Sequence, residues 1–244
     1  MIGTFLNVAT VLIGGSIGLL FSTRIPERVN KTVIAGIGLF TAGIGMQMFL
    51  KTQNSIIVLG SLLLGGLLGE WWKIEDHLRN LGGYLENKFT KKEENHVETD
   101  AEGEGGNNFI QGFLTASLVF CVGPMTILGS IQDGLTGDYS LLAIKSVLDG
   151  FAAIAFAASM GLGVLFSTIV ILVFQGGISL LADQAQSFFT MPMMNEMTAV
   201  GGLLLIGIVI SSLWQLKPIR VGNFLPALFI APLIVAILTA MGIS

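Results

Sequence analysis

Residues 107–160 read NNFIQGFLTASLVFCVGPMTILGSIQDGLTGDYSLLAIKSVLDGFAAIAFAASM, and they decide what kind of protein this is. Two long apolar runs are joined by a short polar turn at Thr136-Gly137-Asp138. The first is interrupted at Gly123-Pro124, and the second carries Lys145 and Asp149 one helical turn apart. Runs of this length suit a bilayer, whose hydrocarbon core of roughly 30 Å needs about 20 helical residues to cross. Charge at that depth costs several kcal/mol per group, so it faces a partner, a cavity or a pathway.

The rest of the chain agrees. Of its 244 residues 52% are hydrophobic and only 11% charged, with a mean hydropathy of +0.80. A soluble domain carries about 25% charged residues. An all-α polytopic membrane protein follows, because lipid offers backbone groups no partner outside their own helical ladder. Eight spans are expected near Ile2–Phe21, Thr32–Leu50, Ser55–Trp72, Phe109–Ile131, Leu141–Met160, Gly163–Leu181, Met197–Leu216 and Phe224–Met241. The first twenty residues lack a basic n-region, which reads as a retained span rather than a cleaved signal.

Charge placement supplies the orientation. With eight spans, Arg24, Arg28 and Lys31, then Lys73, Arg79, Lys88, Lys91 and Lys92, then Lys217 and Arg220 share one side of the membrane. Lys51 lies on the other side, and Lys145 lies just inside a span near it. The positive-inside rule makes the rich side cytoplasmic and puts both termini outside. Cysteines placed singly in the 73–106 loop of a Cys121→Ala background should therefore resist an impermeant thiol reagent in intact cells. Labelling of that loop from outside would reverse the assignment.

The 73–106 segment is the one sizeable loop within this single transmembrane domain. KIEDHLRNLGGYLENKF can lie as an amphipathic helix on the membrane surface, with Gly82-Gly83 expected to break it. TKKEENHVETDAEGEGG is charged and without aromatics, the composition of a disordered linker. His77 and His96 both lie in the loop, too sparse a set for a metal site. Cys121, the one cysteine, excludes an intramolecular disulfide and reads as a small core residue.

An inverted repeat is suggested by a constant register. Thr32, Gly36, Leu39, Ile44, Leu50 and Lys51 pair with Thr198, Gly202, Leu205, Ile210, Leu216 and Lys217. Gly14-Gly15 with Leu19-Leu20 similarly echoes Gly176-Gly177 with Leu180-Leu181. Partners five spans apart must run in opposite directions, so spans 1–3 and 6–8 would form inverted halves, as in many transporters. Gly14 and Gly18, and Gly65 and Gly69, fit the small-xxx-small pattern of helix contact within or between subunits. A homodimer is the expected assembly, since symmetric pairs are the commonest.

Each polar feature has a bland reading beside its functional one. Gly123-Pro124 is either a packing kink or a break whose carbonyls and half-helix ends bind a solute. Ala231-Pro232 is a second candidate break. Lys145 and Asp149 share a face at i and i+4, either fixing helix register or forming a site where the aspartate meets a cation or proton. The lysine is long enough to snorkel outward, and the aspartate is not. Asp133 sits in a stretch that reads equally as a solvated turn, and Glu70 beside Trp71 and Trp72 reads as an interfacial acid. No phosphate loop, dinucleotide fingerprint or nucleophile–histidine arrangement appears, so neither an enzyme nor a cofactor is expected. No basic face suggests nucleic acid.

The runs FCVGPMTILGSIQDGL, KSVLDG, GGSIGLLF and IPERV resemble the bacterial inner-membrane proteins of the YdfK and YqgA type, a family defined by a domain of unknown function. The likeness covers nearly the whole chain and implies a plasma-membrane, transport-related protein, without naming a substrate. The residues themselves point to a transporter or channel for a small ion or solute in the lipid bilayer. Asp149 is its expected binding group and Lys145 the partner. Thr126, Gln132 and Asp133 would line the outer approach, with carbonyls freed at Gly123 and Pro124. A scaffold held by polar contacts, or a sensor acting through the 73–106 loop, is the alternative.

Overall fold

The structure is a computed structural model and describes residues 1–22, 26–89, 105–121, 124–182 and 189–242. Among these residues every regular element is helical. The α-helices are α1 (Ile2–Ser22), α2 (Glu27–Phe49), α3 (Ser55–Trp71), α4 (Ile74–Phe89) and α5 (Gly105–Cys121). They continue with α6 (Pro124–Thr136), α7 (Ser140–Met160), α8 (Gly163–Leu180), α9 (Met191–Ile208) and α10 (Ala227–Ala240). Six are long and apolar enough to cross a membrane, and up to eight spans result if each of two bent pairs is one span. Those pairs are α3 with α4, bent by 56°, and α5 with α6, bent by 62°.

Contacts at glycines fix the helix directions. Gly3 abuts Leu142, Gly14 abuts Gly150 and Gly18 abuts Ile154, so α1 and α7 run parallel. Gly15 meets Leu165 while Gly176 meets Met1 and Thr4, so α8 runs against α1. Gly45 against Gly202 and Gly38 against Trp214 make α2 and α9 antiparallel, and Gly65 and Gly69 against Ala227 and Asn223 do the same for α3 and α10.

The α5–α6 pair traverses. Phe109 lies at Gly163, at one end of α8, and Gly134 lies at Ser179, near the other. Those positions are roughly 24 Å apart at 1.5 Å per residue. A re-entrant hairpin would return to the end it started from, whereas α5 and α6 together run along most of α8 as one bent pair. The helix directions agree with eight spans, the upper end of the six to eight that length and composition allow. Parity alone produces the antiparallel pairs, and the inverted repeat is not confirmed. The glycine faces of α1 and α3 are used within the chain, where small residues let backbones meet.

Three local expectations are corrected. Gly82-Gly83 does not break α4, which runs unbroken from Ile74 to Phe89. Gly82 instead faces Phe113 and Ile110 of α5, at distances where an added methyl would make ordinary contact. Nor does Pro232 break the last span: α10 continues through it, and the helix entry is a 3-10 turn at Val221–Phe224. The seventh span starts earlier than expected, at Met191, with a proline in its first turn, where the missing N–H costs nothing. It ends in a π-helical turn, Val209–Leu213, and the side-chain amide of Gln111 donates to the Ser212 carbonyl there. The linker expected at the end of the 73–106 loop falls largely on residues 90–104, outside those described.

Candidate functional site

The site grows from a close glycine contact between α1 and α7. Gly14 of α1 has no side chain to hold it off the Gly150 carbonyl of α7, and Thr10 packs on Gly150 from the same side. That approach delivers Asn7, two turns earlier on α1, to Asp149. Asn7 Nδ2 donates to Asp149 Oδ2 at 3.0 Å and to Gln175 Oε1 of α8 at 3.0 Å. Gln175 Nε2 in turn donates to Thr4 Oγ1 at 3.3 Å. Lys145 Nζ donates to the same Oδ2 of Asp149, closing an i, i+4 ion pair. Thr4, Asn7 and Gln175 are wholly buried, Lys145 is 6% exposed and Asp149 9%.

Lys145 does not snorkel. It turns back onto its own helix, because a paired ammonium avoids the cost of a lone buried charge. The pair borders a cavity of about 680 Å³ between α2 and α7, whose lining also includes Thr126, Thr41, Gln47 and Lys51. Thr126 enters it from the first turns of α6, where its hydroxyl donates to the Phe120 carbonyl at 3.3 Å, across the bend. Three of the residues expected at the site, Thr126, Lys145 and Asp149, therefore meet at one cavity.

The others lie elsewhere. Asp133 is not a solvated turn residue: it is 2% exposed, and its Oδ2 accepts the Gly3 amide at 3.1 Å while Oδ1 lies 3.0 Å from the Met1 nitrogen. A carboxylate at the start of a helix satisfies orphan N–H groups and complements the dipole, so Asp133 ties α6 to the beginning of α1. Gln132 is exposed, and its amide donates to Asp138 at 3.3 Å. In the same turn Ser140 donates its hydroxyl and backbone N–H to Asp138, holding that carboxyl below its usual range. Pro124 begins α6, and Gly123 lies outside the described residues.

Sequence reasoning missed Asn7, Gln175 and Thr4. Their signal is an isolated amide or hydroxyl in an otherwise apolar run, which is cheap only when hydrogen-bonded. It also missed Glu196, which is 2% exposed at the start of α9. That carboxylate accepts from Thr52 Oγ1 at 2.6 Å, Gln53 N at 2.7 Å and Asn54 N at 3.1 Å, clasping the α2–α3 turn. Glu75 does similar work at the other end, accepting the Gly222 amide at 2.7 Å while its own amide donates to Asn223 Oδ1 at 2.8 Å. Glu70 is more than an interfacial acid, since it accepts from Arg220 at 3.0 Å and from Asn223.

Glu196→Ala should lower stability by about 2–3 kcal/mol, because hydrogen bonds to a charged group contribute roughly 1.5–3 kcal/mol and the freed amides regain only part of that from water. Thermal unfolding in detergent measures it. An unchanged midpoint would show the clasp to be incidental.

Residues 2–236 match the family described as a protein of unknown function, DUF554. The chain is 34% identical over 233 residues to the uncharacterized protein YqgA of Escherichia coli K12, covering 95% of this chain and 94% of that one. It is 30% identical over 247 residues to the uncharacterized membrane protein YdfK of Bacillus subtilis 168, covering 100% and 99%. No solved structure matches.

Proposed function

We propose that this chain, which belongs to the DUF554 family of membrane proteins of unknown function, is an inner-membrane transport protein for a small ion or solute. The observation that carries the reading is the meeting of Lys145, Asp149 and Thr126 at the α2–α7 cavity, well inside the span. Asp149 begins about 13 Å below the start of its helix at 1.5 Å per residue. Charge held at that depth beside open volume is the usual mark of a pathway. Asp149 is the coordinating or proton-accepting group. Lys145 is its counter-ion, and it supplies a donor to the cavity when a ligand competes for the carboxylate. Asn7, backed by Gln175 and Thr4, holds the carboxylate in place.

Loops rich in lysine and arginine face the cytoplasm in this reading, so the Lys51 end of the cavity faces outward. A scaffold is the second reading, favoured by one observation: Asp149 Oδ2 already has two donors within the chain. Flux into proteoliposomes, screened over inorganic ions and small organic ions, separates the two. Transport above protein-free vesicles, lost in Asp149→Asn, supports the proposal. Intact protein with no flux for any solute would leave the scaffold.

A further inference from the structure

The shape and lining of the α2–α7 cavity say more about its occupant than the ion pair alone. On α2 the lining residues Ile37, Phe40, Ile44, Gln47 and Met48 share one continuous helix face, with Lys51 in the turn just past its end. From Ile37 to Met48 that wall is roughly 16 Å long at 1.5 Å per residue. On α7 a second stripe, Lys145, Leu148, Asp149, Ala152 and Phe156, faces it. The cavity is therefore an elongated slot between two helices rather than a round chamber.

Its walls are mainly apolar, a poor exchange for the hydration shell of an inorganic ion. At the rim Phe40 is 71% exposed and Phe151 69% exposed, so the slot opens sideways to the surrounding lipid. Lys51 stands at one end, solvent-exposed and beside Gln47. The Asp149 carboxylate is balanced by Lys145, so the charged lining residues leave one net positive charge, at Lys51.

We infer that the slot binds a single-chain amphiphilic monoanion drawn from the bilayer, with its acidic head at Lys51 and its chain along the α2–α7 stripes. Charge complementarity at one end and apolar length along the rest select this occupant over a cation, an inorganic ion or a helix from a second copy. The inference rests on the transport reading only in making the amphiphile a cargo as well as a ligand.

A diazirine-bearing stearate, photolysed with the intact protein in nanodiscs and mapped by mass spectrometry, tests it. Labels should concentrate on the slot-facing residues of α2 and α7. Oleate should displace them at least about tenfold better than oleylamine, the factor a charged hydrogen bond contributes. Two variants guard the result. Ala155→Trp fills the slot from a lining position six residues beyond Asp149 and should abolish slot labelling. Lys51→Gln, which removes the charge at an exposed position without adding a carboxylate beside the Glu196 clasp, should weaken oleate competition about tenfold or more.

Labels spread evenly over the lipid-facing residues of α3 and α10, equal competition by oleylamine, or slot residues that cross-link to a second copy would each overturn the inference. Slot labelling without flux of any solute would uphold the ligand and remove the transport reading. Inorganic-ion flux without slot labelling would do the reverse.

Discussion

Asp149→Asn should abolish flux, and its cost in stability should be recovered, without the flux, when Lys145→Met is added. Each single change leaves one member of a buried pair alone, at a cost of about 3–5 kcal/mol. Removing both leaves Asn7 facing an amide and an apolar methionine, a combination close to neutral because an apolar replacement of a buried pair often is. Asn7 Nδ2 keeps an acceptor in the asparagine carbonyl, so the α1–α7 contact survives the double change. Thermal unfolding and proteoliposome flux on the two single variants and the double variant therefore separate the readings. A stable double variant without flux identifies Asp149 as a transport residue. A stable double variant with normal flux reduces the pair to structural glue and removes the site.

The parts of this site that were legible beforehand share one physical property. Lys145 and Asp149 stand out in any apolar run because an ionised group at membrane depth is costly and rare, so a single sequence is enough to notice them. Their i, i+4 spacing lies within one helix and needs no tertiary knowledge, and the structure pairs them. Thr126 was legible through its place after Gly123-Pro124. Asn7 and Gln175 were not, because an uncharged amide in a span has many acceptable fates, and only the packing of α1 on α7 and α8 shows what it meets.

Asp133 went astray for a related reason. QDGLTGD has the composition of a turn, and nothing local reveals that the beginning of α1 arrives to be capped. The turn itself is shorter, confined to the residues between Thr136 and Ser140. Glycine misled in the opposite sense. Gly82-Gly83 carries a weak local penalty of about 1 kcal/mol per residue, which the packing of α4 on α5 exceeds. Pro232 likewise loses one hydrogen bond in a span that stays helical on both sides of it. Boundaries and breaks were thus the least legible features, since small local preferences compete there with tertiary contacts invisible in one chain.

The α1–α7 contact makes the sharpest test of packing, because one substitution should act with opposite sign at two glycines. Alanine in place of glycine ordinarily stabilises a helix by roughly 0.5–1 kcal/mol. Gly43 of α2 has nothing within 4 Å of where a Cβ would stand, so Gly43→Ala should be neutral or mildly stabilising. At Gly14 the same methyl would be driven into the Gly150 carbonyl, a backbone atom that no rotamer change can move aside. Overpacking costs typically 1–3 kcal/mol, and a backbone partner puts Gly14→Ala at about 3 kcal/mol. The consequence reaches the site, since pushing α1 off α7 withdraws Asn7 from Asp149 and leaves the carboxylate with Lys145 alone. Gly14→Ala should therefore lose stability and flux together, while Gly43→Ala keeps both. Equal unfolding midpoints for the two variants would mean that α1 and α7 do not meet at Gly14 and Gly150, and the delivery of Asn7 to Asp149 would fail with that contact.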